Sequence, residues 1–437
     1  MTDRRRFLSM VSAMPGLAIL DSSKLLAQPV APMIDQTNYI GLDFAQMQRK
    51  FVASYDVDTA VINFDAGYYG PMTRAVHAAY VDRIAWMNRY NSTFLRGGVP
   101  GVPLTGELDK SRGAVAKMIG AELDEVALCA GGTDALYALI ANYAGIKPGD
   151  AVLYCDVDYD EMQFAMEYLK SSRGANVVRF SLPEPHTRAN ILATYRKMLD
   201  QTPRAKLLLL THVSNRNGLI PPVAEIIAMA KARGVDVILD SAQAVGQMPF
   251  DVTKIGADFI GFSLHKWLGA PLGTGGIYIR KNRLPDILPW FGNAVYSADS
   301  IISRLPSGTA DFAARLTIPI AIAQQDQIGI DRKFMHLRKL RDHWVSRVSD
   351  IPGIEIVLPP EPDNYGAMTG FRLPGMRTSE QTKRAQALFL QKYKLLIVAK
   401  AGLEGGAVLR VTPSLANTTS QLDRLAEAIN AERKMFV

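Results

Sequence analysis

Residues 206–246 read KLLLLTHVSNRNGLIPPVAEIIAMAKARGVDVILDSAQAVG, and the fold turns on this stretch. KLLLL and VDVILD are apolar runs of strand length, and VAEIIAMAKARG between them carries its apolar residues at helical spacing. A buried strand, a helix and a second buried strand predict parallel strands joined by a crossover helix, because a parallel pair needs a long connection. Each run also ends on polar residues, THVSN and DSAQ, at the place where open parallel sheets bind ligands.

The alternation extends in both directions. EVALCA, AVLYCDVD and NVVRFSL upstream, and DFIGFSLH and GGIYIR downstream, read as buried strands, while LDKSRGAVAKMIGA and DALYALIANYAG have helical spacing. The expected class is α/β, a mostly parallel sheet sandwiched by helices. From Ile318 the pattern changes to one long helical tract, three shorter strands (IEIVLP, AMTGFRL, LLIVAK) and a closing helix, TSQLDRLAEAINAERK. This predicts a large domain over 76–317 and a smaller C-terminal α+β domain over 318–437, preceded by an arm with one helix over 28–75. A chain of 437 residues exceeds one ordinary core, in keeping with two lobes. Its 48% apolar and 21% charged residues exclude disordered and fibrous classes for most of its length.

Polar residues collect just beyond the apolar runs. Gly131, Gly132, Thr133 and Asp134 follow EVALCA and open a helix, where free N–H groups, a favourable dipole and the Thr133 hydroxyl suit an anion; they also suit a plain strand-to-helix turn. Asp240 ends VDVILD, with Gln243 three residues on. A carboxylate at a buried strand end needs a partner, such as a cationic ring nitrogen, although strand-end Asp residues are common. Ser263, His265 and Lys266 follow DFIGF in a glycine-rich loop, where the lysine is placed for a Schiff base or is simply a surface cation. Asn215 belongs to another polar set, after KLLLLTH. Jointly these residues supply an anion cradle, a carboxylate for a pyridine nitrogen, donors for a ring oxygen and an amine for an aldehyde. Pyridoxal 5′-phosphate (PLP) requires that set.

THVSNRNG, VILDSAQAVG and SLHKWLGAP, in that order, resemble the class V aminotransferase family of PLP fold type I, over about Val61 to Ala428. The resemblance implies a Schiff base on Lys266, Asp240 on the pyridine nitrogen, and Gln243 and Asn215 near the ring oxygen. It implies phosphate binding by Gly132, Thr133, Ser263 and His265, and a ring stacked on the cofactor by Tyr159. Thr309, in SGTAD, matches a segment that reaches a phosphate across a homodimer interface with shared active sites, and Arg410 matches the arginine that grips a substrate carboxylate. KAGLEGGAVLR lacks the mobile-loop cysteine of the desulfurases, and a histidine of theirs is replaced by Tyr159. NFDAGYYGPM is closer to the isopenicillin-N-epimerase-like branch, which implies substrate contact by Asn63, Tyr68 and Tyr69.

MTDRRRFLSMVSAMPGLAIL at the start has a basic head and an apolar stretch too short to span a bilayer, and Arg4-Arg5 with Phe7-Leu8 resembles a twin-arginine signal. A signal peptide over 1–27, export by the Tat machinery and a periplasmic enzyme are expected. It would remove four cations and two acids, leaving about +5 of the formal +7. No dense Lys/Arg block remains, so nucleic acid is not an expected partner. Cys129 and Cys155 lie in strand-like runs without metal spacing, as buried thiols or one disulfide. Leader, branch and size together are similar to the periplasmic PLP enzymes of pyoverdine maturation, which implies work on the glutamate side chain of that siderophore. The general expectation is a small-molecule amino acid or siderophore-peptide substrate, whose amine displaces Lys266. The fate of the charge then left at Cα (transamination, epimerisation, elimination or oxidative decarboxylation) stays open. A non-catalytic binder has little use for both Asp240 and Lys266.

Overall fold

The computed structural model describes residues 38–358 and 361–437; the leader expected at 1–27 and the start of the arm lie outside them. Helix α1 (Phe44–Ala53) begins at Asp43, whose carboxylate accepts the Gln46 N–H while Gln46 accepts the Asp43 N–H. After the short strand β1 (Ile62–Asn63) come α2 (Arg74–Leu95) and α3 (Leu104–Ile119). The alternation follows as β2 (Val126–Cys129), α4 (Gly132–Asn142), β3 (Ala151–Cys155), α5 (Asp160–Arg173), β4 (Asn176–Phe180), α6 (Arg188–Gln201), β5 (Ala205–Thr211), α7 (Val223–Lys231), β6 (Asp236–Asp240), α8 (Val252–Ile255), β7 (Phe259–Ser263) and β8 (Gly275–Ile279).

Strands β2 to β8 form one seven-stranded sheet, ordered β2-β8-β7-β6-β5-β3-β4. Within it β8 alone runs against the others, and the β7–β6–β5–β3–β4 block is parallel. Successive side chains on a strand face opposite sides, and here they feed two separate cores. Leu208, Leu210, Val237, Leu239 and Ile260 pack with α3, α6 and α7. Leu207, Leu209, Ile238 and Phe259 pack with α4 and α5. This is why the sheet's sequence is a run of apolar residues rather than an alternation. Each fully buried leucine stabilises the sheet by about 2 kcal/mol relative to exposure.

The remaining elements are α9 (Phe312–Ile328), α10 (Ile330–Val348), β9 (Glu355–Ile356), β10 (Thr369–Arg372), α11 (Ser379–Tyr393), β11 (Leu395–Leu396), β12 (Val398–Lys400), β13 (Val408–Val411) and α12 (Thr419–Ala431). Antiparallel order β12-β13-β10-β9 makes a second sheet. Trp344, Phe371, Phe389, Leu409, Leu422 and Ile429 form its core.

The tract expected as one helix is two, divided at Gly329, whose φ of 82° lies outside the helical range. The division expected at 317/318 falls inside α9, where Ile318, Ala321 and Ile322 are buried with the large domain. The segment around β1 is also more than an arm. It pairs in parallel with β11, and Ile62 and Phe64 are buried in the small-domain core. Among the described residues no helix is long and apolar enough to cross a membrane.

Candidate active site

The register of the large sheet brings the polar strand ends together. Thr211 lies opposite Asp240, and Asp240 opposite Gly261, two residues before Ser263. Beyond these ends is a cleft of about 380 Å³ whose lining includes Gly132, Thr133, Tyr159, Asn215, Asp240, Gln243, Ser263, His265, Lys266 and Arg410. Asp240 and Lys266 thus share one cavity. Asp240 is 5% exposed, and burial lifts its carboxyl above the usual range against the Ala242 N–H (2.9 Å) and the Lys266 charge. Burial draws the Lys266 ammonium down to about 8, opposed by the attraction of Asp240. A lysine with that affinity is half neutral, hence nucleophilic, at about pH 8.

At the α4 end, the Gly132 N–H donates to Ser263 Oγ at 3.0 Å. A Cβ on Gly132 would lie 2.9 Å from the Ala242 side chain and 3.1 Å from Ser263 Oγ, so glycine lets the helix start close against β7. His265 packs beside Gly131, and its Nδ1 is 2.8 Å from the Thr274 carbonyl, which makes Nδ1–H the donor. Burial lowers the His265 pKa. Holding a phosphate oxygen through Nε2 would require that nitrogen protonated, which a nearby dianion favours. Gln243 is oriented at both ends: Nε2 donates to the Gly67 carbonyl (2.7 Å), and Oε1 accepts Trp267 Nε1–H (2.8 Å). One Nε2 hydrogen remains for a ring oxygen. The side-chain oxygen of Asn215 is buried without a partner among the described residues.

Those residues fit PLP. The helix start with Ser263, Thr133 and His265 forms an anion cradle. Asp240 is a buried carboxylate for a protonated ring nitrogen, Asn215 and Gln243 are polar groups for the ring oxygen, and Lys266 is the amine. Tyr159, half-buried at the start of α5, lines the same cleft.

Arg410 is 2% exposed. Its Nη1 donates to the Asn215 carbonyl (2.6 Å), its Nη2 pairs with Asp65, and its Nε–H is buried without a partner among the described residues. Asn63 and Thr309 do not line the Lys266 cleft of their own chain, and for Thr309 the expectation concerned a neighbouring subunit's site. Asn63 lines a neighbouring cleft with Asp65, Ala66, Tyr68 and Tyr69, because Ile62 before it turns inward to the core and strand residues alternate. Thr309 is exposed in the loop before α9, outside the Lys266 cleft. Tyr68 and Tyr69 line both clefts and are 73% and 47% exposed.

Sequence reasoning missed three contributors. Asp65 stands beside the tyrosines singled out in NFDAGYYGPM, yet its partner lies in β13. Lys400 lines the cleft from the end of β12. Asp158 is fully buried and is pushed up to about 7, chiefly by that burial, with the charge of Asp240 adding to it. Cys129 and Cys155 are buried free thiols, neither in the cleft; burial raises both pKa values, and the disulfide alternative does not hold. Among the described residues no cluster has metal-ligand geometry.

Isopenicillin N epimerase of Streptomyces clavuligerus is 29% identical over 392 residues, covering 86% of this chain and 96% of that protein. A cysteine desulfurase structure from Escherichia coli superposes with TM-score 0.73 at 22% identity, covering 89% of this chain and 99% of that one. The cystine C–S lyase C-DES, solved with glycine covalently linked to its PLP cofactor, superposes with TM-score 0.71 at 17% identity, covering 85% and 97%. The class-V aminotransferase family model matches residues 86–431. With that match and a cleft built for the cofactor, the chain belongs to the class V aminotransferases, PLP-dependent enzymes of fold type I.

Proposed function

We propose that this class V enzyme acts outside the cytoplasm on the α-amino group of a glutamate carried by a pyoverdine siderophore. The observation that carries the reading is that two clefts share a wall. Tyr68 and Tyr69 line both the Lys266 cleft and a second cleft of about 470 Å³. A free amino acid fills the first; a peptide appendage has the second, with Asn63 on its wall. The basic, apolar leader with Arg4-Arg5 supports export. Exposed Thr309 supports a homodimer in which that segment completes the neighbouring site.

When bound, PLP supplies an electron sink for charge left at the substrate Cα. Asp240 holds the proton on the ring nitrogen. Lys266 would hold the cofactor's aldehyde carbon and, as a free amine, would carry the proton to or from Cα. Arg410 offers its unmatched Nε–H edge to the α-carboxylate.

Mass spectrometry of periplasmic siderophores from a deletion strain and its parent tests the reading. Accumulation of the glutamate form in the deletion strain is expected, and an unaltered side-chain profile would overturn it. The coverage of the epimerase relatives favours a second reading, inversion at an amino-acid centre. Inversion changes configuration without changing mass, so chiral analysis of the same samples separates the two.

A further inference from the structure

Lys400 is a half-buried ammonium in the cleft with no hydrogen bond or ion pair among the described residues. The two carboxylates whose charge reaches it are engaged elsewhere: Asp65 pairs with Arg410, and Asp160 with Arg216. The other charges it feels, Arg410 and Lys266, are cationic and repel it. A partly desolvated cation with no protein partner gains when an anionic ligand completes it.

Its position is set by the fold. In the β12–β13 ladder Val398 lies opposite Arg410, and Lys400 opposite Val408. Residues two apart share a face, so Lys400 and Arg410 stand on one face as diagonal neighbours, roughly 7–8 Å apart at their backbones. The backbone just after Lys400 is pinned, because the buried Arg216 donates to the Ala401 carbonyl. Lys400 is therefore held on a fixed strand end, two residues along the ladder from the guanidinium that receives the α-carboxylate.

We propose that Lys400 is a specificity residue that binds a second anionic group of the substrate. The substrate class is then an amino acid with an acidic side chain, or a carrier-linked aminoacyl group whose carrier presents an acidic function beyond the α-carboxylate. This rests on the reading that Arg410 takes the α-carboxylate. Burial pulls Lys400 down to about 8, so it remains largely charged at neutral pH and able to pair with that anion.

The test uses the full PLP-loaded protein and two probes that lack an amine and cannot react, glutarate and butyrate, with affinities read by titration calorimetry. Wild type is expected to bind glutarate about tenfold more tightly than butyrate. Lys400→Met is expected to bring that ratio near one while butyrate affinity stays within about twofold, and Lys400→Arg to restore the preference. Equal binding of both probes by wild type, or a preference retained in Lys400→Met, would overturn the proposal. Should Lys400→Met not fold, Lys400→Gln is read by the same criteria. Arg410→Lys separates the two readings: if it leaves butyrate binding unchanged, the α-carboxylate assignment has failed, whatever Lys400 does.

Discussion

Asp65 and Arg410 lie 345 positions apart in the chain and form an ion pair beside the Lys266 cleft. The pair fastens the segment before Tyr68 to β13, where the Ala66 N–H also donates to the Thr412 carbonyl (3.1 Å) and the Thr412 N–H to the Phe64 carbonyl (2.8 Å). Removing one partner strands a buried charge. Asp65→Ala is expected to lower stability by about 3 kcal/mol in urea denaturation, toward the lower end for such pairs because the carboxylate keeps some solvent contact. A double-mutant cycle with Arg410→Met should give coupling of about 1 kcal/mol or more; simple additivity would show that the pair contributes nothing.

Lys266→Ala should fold and yet fail to develop the visible absorbance that a lysine–PLP Schiff base produces. Turnover should fall by about 10³-fold or more, because both the anchoring amine and the proton carrier are gone. A variant that keeps the band points to another lysine, Lys400 being nearest in kind.

The depressed affinity of Lys266 for its proton makes cofactor capture pH-dependent. The ordinary lysine value is about 10.4, and burial lowers this one to about 8. Below that value the ammonium predominates and cannot attack an aldehyde; above it the free amine does. Stopped-flow mixing of the apoprotein with PLP should show a capture rate that rises with pH and levels off above about 8. A rate still climbing steeply between pH 9 and 10 would contradict the shift.

Gly70 sets the backbone of the catalytic loop. Its N–H donates to the His265 carbonyl (3.0 Å), and a Cβ there would sit 2.1 Å from the Lys266 carbonyl oxygen. Gly70→Ala should therefore cost about 1–3 kcal/mol through forced backbone movement. PLP affinity, followed by absorbance titration, should weaken by about tenfold as Lys266 shifts. Unchanged stability and affinity together would mean that the loop yields freely.

Much of the sheet was readable because fully buried parallel strands leave a blunt mark, short apolar runs that end in polar residues. Asp240 and Lys266 were legible for the same reason, since each follows directly on such a run. Asp65 was not. It stands next to two conspicuous tyrosines, but nothing local distinguishes it from a solvated acid; its meaning comes from Arg410. Lys400 was read as the start of a cysteine-free loop, because its register against Arg410 depends on how β12 and β13 pair. Asn63 went to the neighbouring cleft because the inward turn of Ile62 decides which way the next side chain faces. The helical tract from Ile318 hid a break at Gly329, since glycine is tolerated inside many helices and only the folded backbone, with φ of 82° there, shows the interruption.

By itself the sequence determined the alternation of strands and helices, the residues at the sheet's polar ends and the kind of cofactor they suit, because hydrophobic periodicity and the chemistry of a strand end are local properties. Only the tertiary structure decided which charges meet. Long-range pairing placed Asp65 on Arg410, left Lys400 unmatched and set Tyr68 and Tyr69 on the wall of both clefts. An electrostatic partner is chosen by distance in space, and the chain's order does not encode that distance.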